Sequence, residues 1–190
     1  MVIYVKYPNN IKKNSNIKIS HSNRGMDLEN ALNQSNNYYL ETDRALIYKK
    51  PTPIGVVDVS YHHNKKIIEK AYFKQQSTLD YNGLYRGKYI DYEAKETKNK
   101  TAFPLKNIHP HQINHIRKVI KHDGIVFLII KINDETYLLR GDTFINFIDS
   151  EERKSIPYSF IQENACFIKE EYYPSLDYLK VVDEIYFKGE

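Results

Sequence analysis

Apolar residues recur at intervals of three and four residues in three stretches of the chain, which is the period of an amphipathic helix. The first helix is predicted to follow Ser22 or Asn23, since either residue can cap it. The second is predicted from about Pro110 to Lys121 and the third from Ser175 to Phe187. The positions expected to face the core are Leu28, Ala31, Leu32, Ile113, Ile116, Val119, Ile120, Leu176, Leu179 and Val182.

Six other stretches are rich in the β-branched and aromatic residues that strands favour. They are residues 44–49, 54–61, 67–73, 89–94, 124–132 and 136–140. The run from Gly124 to Ile132 is almost unbroken in apolar character, so this strand is expected to be covered on both faces of a sheet. Turns are predicted at Tyr81-Asn82-Gly83 and at Asp134-Glu135. Helices and strands therefore alternate irregularly around one central strand, which predicts an α/β fold with a mixed sheet.

Two of these strands are expected to form a β-hairpin. They are joined by the polar link His62-His63-Asn64-Lys65-Lys66, which is short enough to turn the chain back on itself. The segment Pro51-Thr52-Pro53 separates the hairpin from the strand before it. The tip and flanks of the hairpin are cationic.

Charge is distributed unevenly along the 190 residues, although the formal net charge is only +4. Residues 1–148 carry 23 Lys and Arg against 14 Asp and Glu, a net +9, whereas residues 149–190 carry 5 against 10, a net −5. Residues 1–22 are polar and basic, and they are predicted to form a flexible arm before a single domain of residues 23–190. This distribution suits a polyanionic partner such as nucleic acid, with a solvated surface and a polar tail as the alternative.

The composition, with 41% hydrophobic and 27% charged residues, is that of an ordinary soluble domain. A lone cysteine, Cys166, excludes an internal disulfide and fits a reducing compartment, and its neighbours Phe167 and Ile168 predict that it lies in the core. The N-terminus lacks the apolar core of a signal peptide, and no apolar run reaches the ~20 residues that span a bilayer. A cytoplasmic protein with no membrane partner is expected.

The candidate chemistry is concentrated between Asp80 and Lys95. Strand alternation places Glu93 and Lys95 on one face and Ala94 on the other. Asp80 and Glu93 could together hold Mg²⁺, a hard cation that takes oxygen ligands and retains several waters. Lys95 could then stabilise the charge that develops during phosphodiester cleavage. By spacing alone, a solvated strand edge with an ion pair between residues i and i+2 remains the alternative.

Longer motifs surround these residues in a fixed order. They are Ser22-Asn23-Arg24-Gly25-Met26, Lys49-Lys50-Pro51-Thr52-Pro53, Ala71-Tyr72-Phe73-Lys74-Gln75, residues 77–83 and residues 87–101. Together they closely resemble the RecU family, the Holliday junction resolvases of Gram-positive bacteria and their relatives. The resemblance extends from about Ser22 to the C-terminus and is densest from Lys49 to Gln112.

This resemblance implies a PD-(D/E)xK, restriction-endonuclease-like core, in which helices flank a central mixed β-sheet and a β-hairpin stalk of about residues 51–75 protrudes. It also implies a homodimer that cleaves four-way DNA junctions with Mg²⁺, which Mn²⁺ could replace. By correspondence with the family, Asp80, Glu93 and Lys95 form the catalytic set, in which Lys95 stabilises the transition state. Thr78, Asp80, Glu93 and Gln112 correspond to the metal site.

Five residues are expected to contact DNA: Arg24, Lys65, Lys66, Tyr72 and Lys74. The three lysines lie in the hairpin and suit phosphate contact. Tyr72 corresponds to a stalk aromatic that could stack on exposed bases at the crossover. Arg24 is expected either to contact DNA from the arm or to form an ion pair near the first helix. The hairpin tip departs from a more arginine-bearing stretch in the family, which leaves the identity of the tip contact open.

Two further candidates have ordinary alternatives. Glu29 on the first helix could be an additional acid near the site or a solvated helix carboxylate. His109, His111 and His115 could suggest a metal cluster, but their spacing fits no common zinc motif. Phosphate contact or a solvated helix start is the preferred interpretation of the histidines.

The main hypothesis is a structure-selective DNA endonuclease of recombination and repair, with four-way junction DNA as its partner. Two cuts at one branch point need two facing sites, which is the physical reason to expect a two-fold dimer. One alternative is a less selective nuclease with the same core. Another is a DNA-binding or strand-annealing accessory protein that modulates a recombinase, with the basic arm as its DNA contact. A recombinase and branch-migration proteins are the further partners considered.

Overall fold

The computed structural model describes residues 27–63, 65–74 and 78–188. The predicted arm and Arg24 therefore lie outside the described residues. In chain order the elements are α1 (Leu28–Glu41), β1 (Leu46–Lys49), β2 (Ile54–His62), β3 (Lys65–Phe73), β4 (Tyr81–Tyr85), β5 (Lys88–Glu96), β6 (Ala102–Pro104), α2 (Pro110–Lys121), β7 (Ile125–Ile132), β8 (Glu135–Arg140), α3 (Gly141–Ser150), β9 (Ser155–Pro157), α4 (Tyr158–Asn164), β10 (Cys166–Ile168) and α5 (Tyr178–Tyr186). Of the helices in these ranges, none combines the length and apolar character that crossing a bilayer requires.

A six-stranded sheet in the order β1-β4-β5-β7-β8-β10 forms the centre of the domain. Strands β5 and β7 pair in parallel, and the other four pairings are antiparallel. The parallel pair needs a crossover, which the chain makes through α2. The predicted α/β class with a central mixed sheet flanked by helices is confirmed.

The sheet separates two hydrophobic cores. Helices α1 and α5 contribute to the core on one face, and α2, α3 and α4 to the core on the other. Alternate residues of β7 serve the two cores, with Phe127 in the first and Leu128 in the second. This double burial explains the nearly unbroken apolar run in the sequence of β7.

Three aromatic rings stack across the middle of the sheet, on the face covered by α1 and α5. The Tyr92 ring of β5 lies between Tyr81 of β4, at a centroid distance of 4.7 Å, and Phe127 of β7, at 5.0 Å. The interplanar angles are 6° and 8°. All three rings are buried, so the stack forms a rigid layer directly behind the opposite face of β5.

The prediction of a turn at Tyr81-Asn82-Gly83 is wrong, because these residues form β4. Gly83 serves a close approach instead: a Cβ atom there would lie 1.9 Å from the carbonyl oxygen of Leu46 on β1. The turn comes after β4, at Arg86 and Gly87, whose φ angles of 47° and 75° are left-handed.

The helix predictions differ from the structure at their ends. Helix α2 spans the predicted residues, whereas α5 begins at Tyr178, three residues after the predicted start. Helix α1 begins at Leu28 with Asp27 at its N-cap position, so the prediction of Ser22 or Asn23 as its cap is wrong. The prediction of a core position for Cys166 is also wrong, because this residue is exposed on β10, an edge strand of the sheet.

Strands β2 and β3 form the predicted hairpin. They pair with each other and with no other strand in the described part of the chain. All nine residues of β3 are exposed, so the hairpin projects from the domain. The connection is shorter than predicted, since β2 continues through His62 and β3 begins at Lys65.

Candidate active site

Three charged side chains meet near the carboxyl end of β5, on the face that α2 covers. Lys95 Nζ contacts Glu93 Oε1 and lies 3.3 Å from Asp80 Oδ2. The second oxygen of Glu93 accepts a hydrogen bond of 3.1 Å from the Asp80 backbone N–H. Strand alternation therefore brings Glu93 and Lys95 together, and the segment before β4 brings Asp80 to them.

Of the alternative, the ion pair between residues i and i+2 is present between Glu93 and Lys95, but the solvated strand edge is wrong. Strand β5 lies between β4 and β7, inside the sheet. Glu93 is completely buried, whereas Asp80 and Lys95 keep 21% and 28% of their side-chain surface exposed. Solvent therefore reaches the cluster from the side of Asp80 and Lys95.

The cluster has unusual electrostatics, because it places one cation between two carboxylates. Burial raises the pKa of Glu93 to about 7; the charge of Lys95 opposes this rise, and Asp80 adds to it. Burial alone would lower the pKa of Lys95, but the charges of Glu93 and Asp80 outweigh it and raise that pKa overall. Lys95 therefore stays protonated at neutral pH, while Glu93 can gain or lose a proton near pH 7.

Thr78 and Gln112 are less directly connected to the cluster. Gln112 lies buried in the first turn of α2, where its Oε1 accepts a 2.8 Å hydrogen bond from the backbone N–H of His109. Thr78 is half-buried, two residues before Asp80. No hydrogen bond within the described ranges joins either side chain to Asp80, Glu93 or Lys95. Both side chains would supply a neutral oxygen.

A cleft of about 350 Å³ opens beside Asp80, and its described lining includes neither Glu93 nor Lys95. Glu29 of α1 lies in its wall and forms an ion pair with Lys49. Glu29 is also about half exposed, so it is a solvated helix carboxylate that shares a cleft with Asp80. The remaining wall is formed by Asp27, Leu28, Thr52, Tyr81, Ala94 and Glu96.

The three histidines do not form one cluster. The rings of His109 and His111 stack at a centroid distance of 5.5 Å, whereas His115 Nε2 lies 2.8 Å from Asp91 Oδ2. Among the described residues, no group of three or more His, Cys, Asp and Glu side chains is arranged to hold a metal ion. The histidines thus offer no zinc site of the usual kind.

The predicted DNA contacts within the described residues lie on the hairpin and are exposed: Lys65, Lys66, Tyr72 and Lys74. The Tyr72 ring lies across Gly55, where an added Cβ atom would approach the ring to 2.4 Å. A residue with no side chain at position 55 is therefore what allows Tyr72 to take this orientation. Phe73 beside it is 81% exposed.

Asp91 on β5 is a buried charged group that the sequence patterns did not single out. It is completely buried, and Lys50, Tyr89 and His115 all contact its carboxylate. The spacing that places Glu93 and Lys95 on one face also applies to Asp91, two residues earlier, so alternation could have identified it.

A mixed sheet with a buried glutamate and a lysine two residues apart on an inner strand, joined by an aspartate from the preceding segment, is typical of PD-(D/E)xK nucleases. The family model described as RecU: Recombination protein U matches residues 23–184. The chain belongs to the RecU family, as its motifs predicted.

Named relatives are similar over most of their length. The chain is 52% identical over 172 residues to the Holliday junction resolvase RecU of Oceanobacillus iheyensis, covering 87% of this chain and 88% of the relative. It is 50% identical over 172 residues to the protein of the same name from Bacillus subtilis, covering 88% and 84%. For the Bacillus cereus (strain AH820) protein of that name the identity is 47% over 197 residues, covering 96% and 98%.

A solved structure with a distant likeness is that of Archaeoglobus fulgidus Hjc, described as a Holliday junction resolvase from an archaeal hyperthermophile. The match covers 72% of this chain and 94% of that one, with 8% sequence identity and a TM-score of 0.38.

Proposed function

We propose that this chain resolves Holliday junctions by paired, symmetric, Mg²⁺-dependent cleavage of two DNA strands. Its membership of the RecU family makes it a Holliday junction resolvase and therefore a nuclease. The observation that carries the finer proposal is the meeting of Asp80, Glu93 and Lys95 in one cluster, in which Asp80 and Lys95 remain partly exposed. The work of such an enzyme belongs to recombination and DNA repair, and we place it in the cytoplasm.

The donor atoms of the site suit a hard divalent cation. Asp80 and Glu93 offer carboxylate oxygens, and Thr78 and Gln112 would add a hydroxyl and an amide oxygen. This small number of protein ligands suits Mg²⁺ better than a closed protein cage would, because Mg²⁺ keeps several of its waters when it binds. When bound, Mg²⁺ would polarise the scissile phosphate and promote ionisation of a water molecule. Mn²⁺, with similar ligand preferences, could replace it.

The protein's own side chains would orient the catalytic groups and neutralise the charge that develops on the phosphate. Lys95 is held in place by two carboxylates and carries a full positive charge, so it can stabilise the negative charge that develops on the phosphate. Glu93 is fixed by the Asp80 backbone N–H, so its orientation is set before DNA arrives. Such preorganisation lowers the reorganisation needed at the moment of reaction.

The hairpin would select the junction and a dimer would supply the second cut. Its lysines can contact phosphates, and Tyr72 can stack on bases that are exposed where the arms exchange. Two symmetric cuts require two sites facing one branch point, so we propose a two-fold homodimer. The basic segment of residues 1–22 would bind DNA without reading its sequence. We propose a recombinase and branch-migration proteins as further partners of the protein.

Cleavage of a labelled four-way junction, beside a linear duplex of the same sequence, tests this function. With Mg²⁺ we expect paired nicks at symmetric positions in the junction and none in the duplex. Without a divalent metal we expect no nicks in either DNA. Equal cutting of junction and duplex would instead indicate a nuclease without structure selectivity. Tight junction binding without cleavage in Mg²⁺ or Mn²⁺ would favour the accessory DNA-binding protein.

The raised pKa of Glu93, about 7, predicts how pH affects metal binding. A proton and Mg²⁺ compete for the same carboxylate, so Mg²⁺ affinity should fall as the pH is lowered through about 7, by up to about tenfold per pH unit. The measurement is the rise in Tm caused by Mg²⁺, which should be larger at about pH 8 than at about pH 6. The Glu93→Gln variant should show little rise at either pH.

In the absence of metal, the raised pKa of Glu93 makes the folded protein more stable at low pH, whereas Mg²⁺ binding is favoured at high pH. Because the folded pKa of Glu93 lies above the ordinary value of 4.5, the folded protein binds this proton more tightly than the unfolded chain does. The stability that this group contributes is therefore fully present below about pH 4.5 and is lost as the pH rises through about 7.

A Mg²⁺-induced rise in Tm of equal size at both pH values would contradict the assignment of Glu93 as a ligand.

A further inference from the structure

Asp91 is a fully buried carboxylate that the proposed chemistry does not use. It lies on β5, two residues before Glu93 and on the same face of the strand. Lys50 Nζ lies 3.1 Å from Oδ1 and 3.0 Å from Oδ2 of this carboxylate. The Tyr89 hydroxyl donates to Oδ2 at 2.7 Å, and His115 Nε2 lies 2.8 Å from the same oxygen.

These contacts join three parts of the fold at one point. Asp91 and Tyr89 belong to β5, His115 belongs to α2, and Lys50 follows the last residue of β1. A buried carboxylate needs compensating partners, since an uncompensated buried charge is strongly unfavourable. The buried charge of Asp91 therefore holds the three parts together, because all of its compensating partners must stay in contact with it.

Lys50 is also the last residue before the link to the hairpin. Pro51, Thr52 and Pro53 connect it to Ile54, where β2 begins, and the Lys74 N–H closes the hairpin root by donating to the Pro53 carbonyl at 2.9 Å. Two prolines in a three-residue link restrict its backbone, so the position of Lys50 constrains the direction in which the hairpin leaves the domain.

The backbone of Lys50 is bonded to the candidate catalytic site. Its N–H donates to the carbonyl oxygen of Asp80 at 2.8 Å. Lys50 thus has two attachments: its backbone holds the segment that carries Asp80, and its side chain holds the strand that carries Glu93 and Lys95. A shift of the hairpin root would therefore reach both halves of the site through Lys50.

We propose that the Lys50–Asp91 pair is a positioning pair that couples the hairpin to the active site, so that a junction seated on the hairpin is presented to Asp80, Glu93 and Lys95 in a cleavable geometry. This inference rests on the proposed cleavage of junctions. It assigns the pair no contact with the reacting atoms. Its loss should therefore slow cleavage of bound DNA without weakening DNA binding.

The test compares Lys50→Met, which keeps the length of the side chain but removes its charge, with Lys50→Arg. At saturating junction DNA and Mg²⁺, we expect Lys50→Met to slow single-turnover cleavage by about 10- to 100-fold, with a junction Kd within about threefold of the wild-type value. Lys50→Arg should recover most of the rate, because a guanidinium can still bond both oxygens of Asp91.

A matched control separates positioning from general stability. Arg44 contacts both oxygens of the buried Asp177 at 2.8 and 2.9 Å, a similar ion pair that joins α5 to the segment between α1 and β1. Arg44→Met should lower Tm and leave cleavage at moderate temperature unchanged. In Lys50→Met/Asp91→Asn, which carries no uncompensated charge, we expect Tm to recover and the cleavage rate to stay low.

Three results would overturn the pair's positioning role. The first is wild-type cleavage by Lys50→Met. The second is a weaker Kd with an unchanged rate at saturation, which would make Lys50 a DNA contact. The third is an equal loss of rate in Arg44→Met, which would reduce the effect to stability.

Failure of the proposed function is recognised separately, by a wild-type protein that cuts no junction. In that case amide exchange of Lys50 and Asp80, measured by NMR, still decides whether the pair holds the root. We expect faster exchange of both amides in Lys50→Met and not in Arg44→Met. Unchanged exchange in Lys50→Met would overturn the inference.

Discussion

Replacing Asp80 by Asn is expected to abolish junction cleavage while leaving junction binding intact, and Glu93→Gln should do the same. Each change keeps the size of the side chain but removes the negative charge that a metal ion and Lys95 both need. We expect the cleavage rate to fall by about 10³-fold or more, which corresponds to several kcal/mol of transition-state stabilisation. Single-turnover cleavage and a separate binding titration with Ca²⁺ in place of Mg²⁺ measure the two effects.

Asp183→Asn is the matched control for this prediction. Asp183 accepts hydrogen bonds from Tyr85 and Arg86 near the opposite end of β5, so it shares the residue type but not the site. Its substitution should leave cleavage unchanged. A parallel loss of binding and cleavage in Asp80→Asn or Glu93→Gln, with the rate at saturation preserved, would argue against a role as metal ligands.

Deleting residues 54–73 and closing the gap with a short Gly-Ser link is expected to remove the preference for junctions. The hairpin pairs with no other strand in the described part of the chain, so the sheet should fold without it. The loss of stacking and phosphate contacts should weaken junction binding by about 10²-fold, and bring the Kd for junctions close to that for duplex DNA. Competition binding between the two DNAs measures this ratio.

A milder variant keeps the shape of the hairpin and changes only its charge. Lys65→Gln/Lys66→Gln should weaken binding to all DNAs and reduce the slope of log K against log salt by about 2, while junction preference largely remains.

A protein lacking residues 54–73 that still prefers junctions over duplex by the wild-type factor would place the selective contact outside the hairpin.

The sequence was sufficient for the parts of the fold in which periodicity and burial agree. Helix α2 and strand β7 have strongly patterned apolar positions, and both lie where they were predicted. The geometry of the candidate site was predictable for the same reason, since alternation alone puts Glu93 and Lys95 side by side. Whether those residues bind metal and cleave DNA stays a prediction.

Other elements depend on contacts that local sequence does not show. Helix α3 begins with Gly141 and has several β-branched or aromatic residues, so its helix propensity is weak. Packing of Phe144 and Phe147 in the second core stabilises it instead. Gly83 was mistaken for a turn residue because its neighbour Leu46, almost forty positions earlier, is not visible in local sequence. The ion pair of Lys50 and Asp91 is equally long-range.

The stacked layer of Tyr81, Tyr92 and Phe127 behind the site has a practical consequence. The chain has no tryptophan and seventeen tyrosines, so its near-ultraviolet circular dichroism comes chiefly from tyrosine rings held in fixed, asymmetric surroundings. Tyr92 is separated from Glu93 by one peptide bond and points to the opposite face of β5. The near-ultraviolet circular dichroism of the protein therefore reports, without an added label, on the tyrosine-rich core that packs behind the strand carrying the candidate catalytic residues.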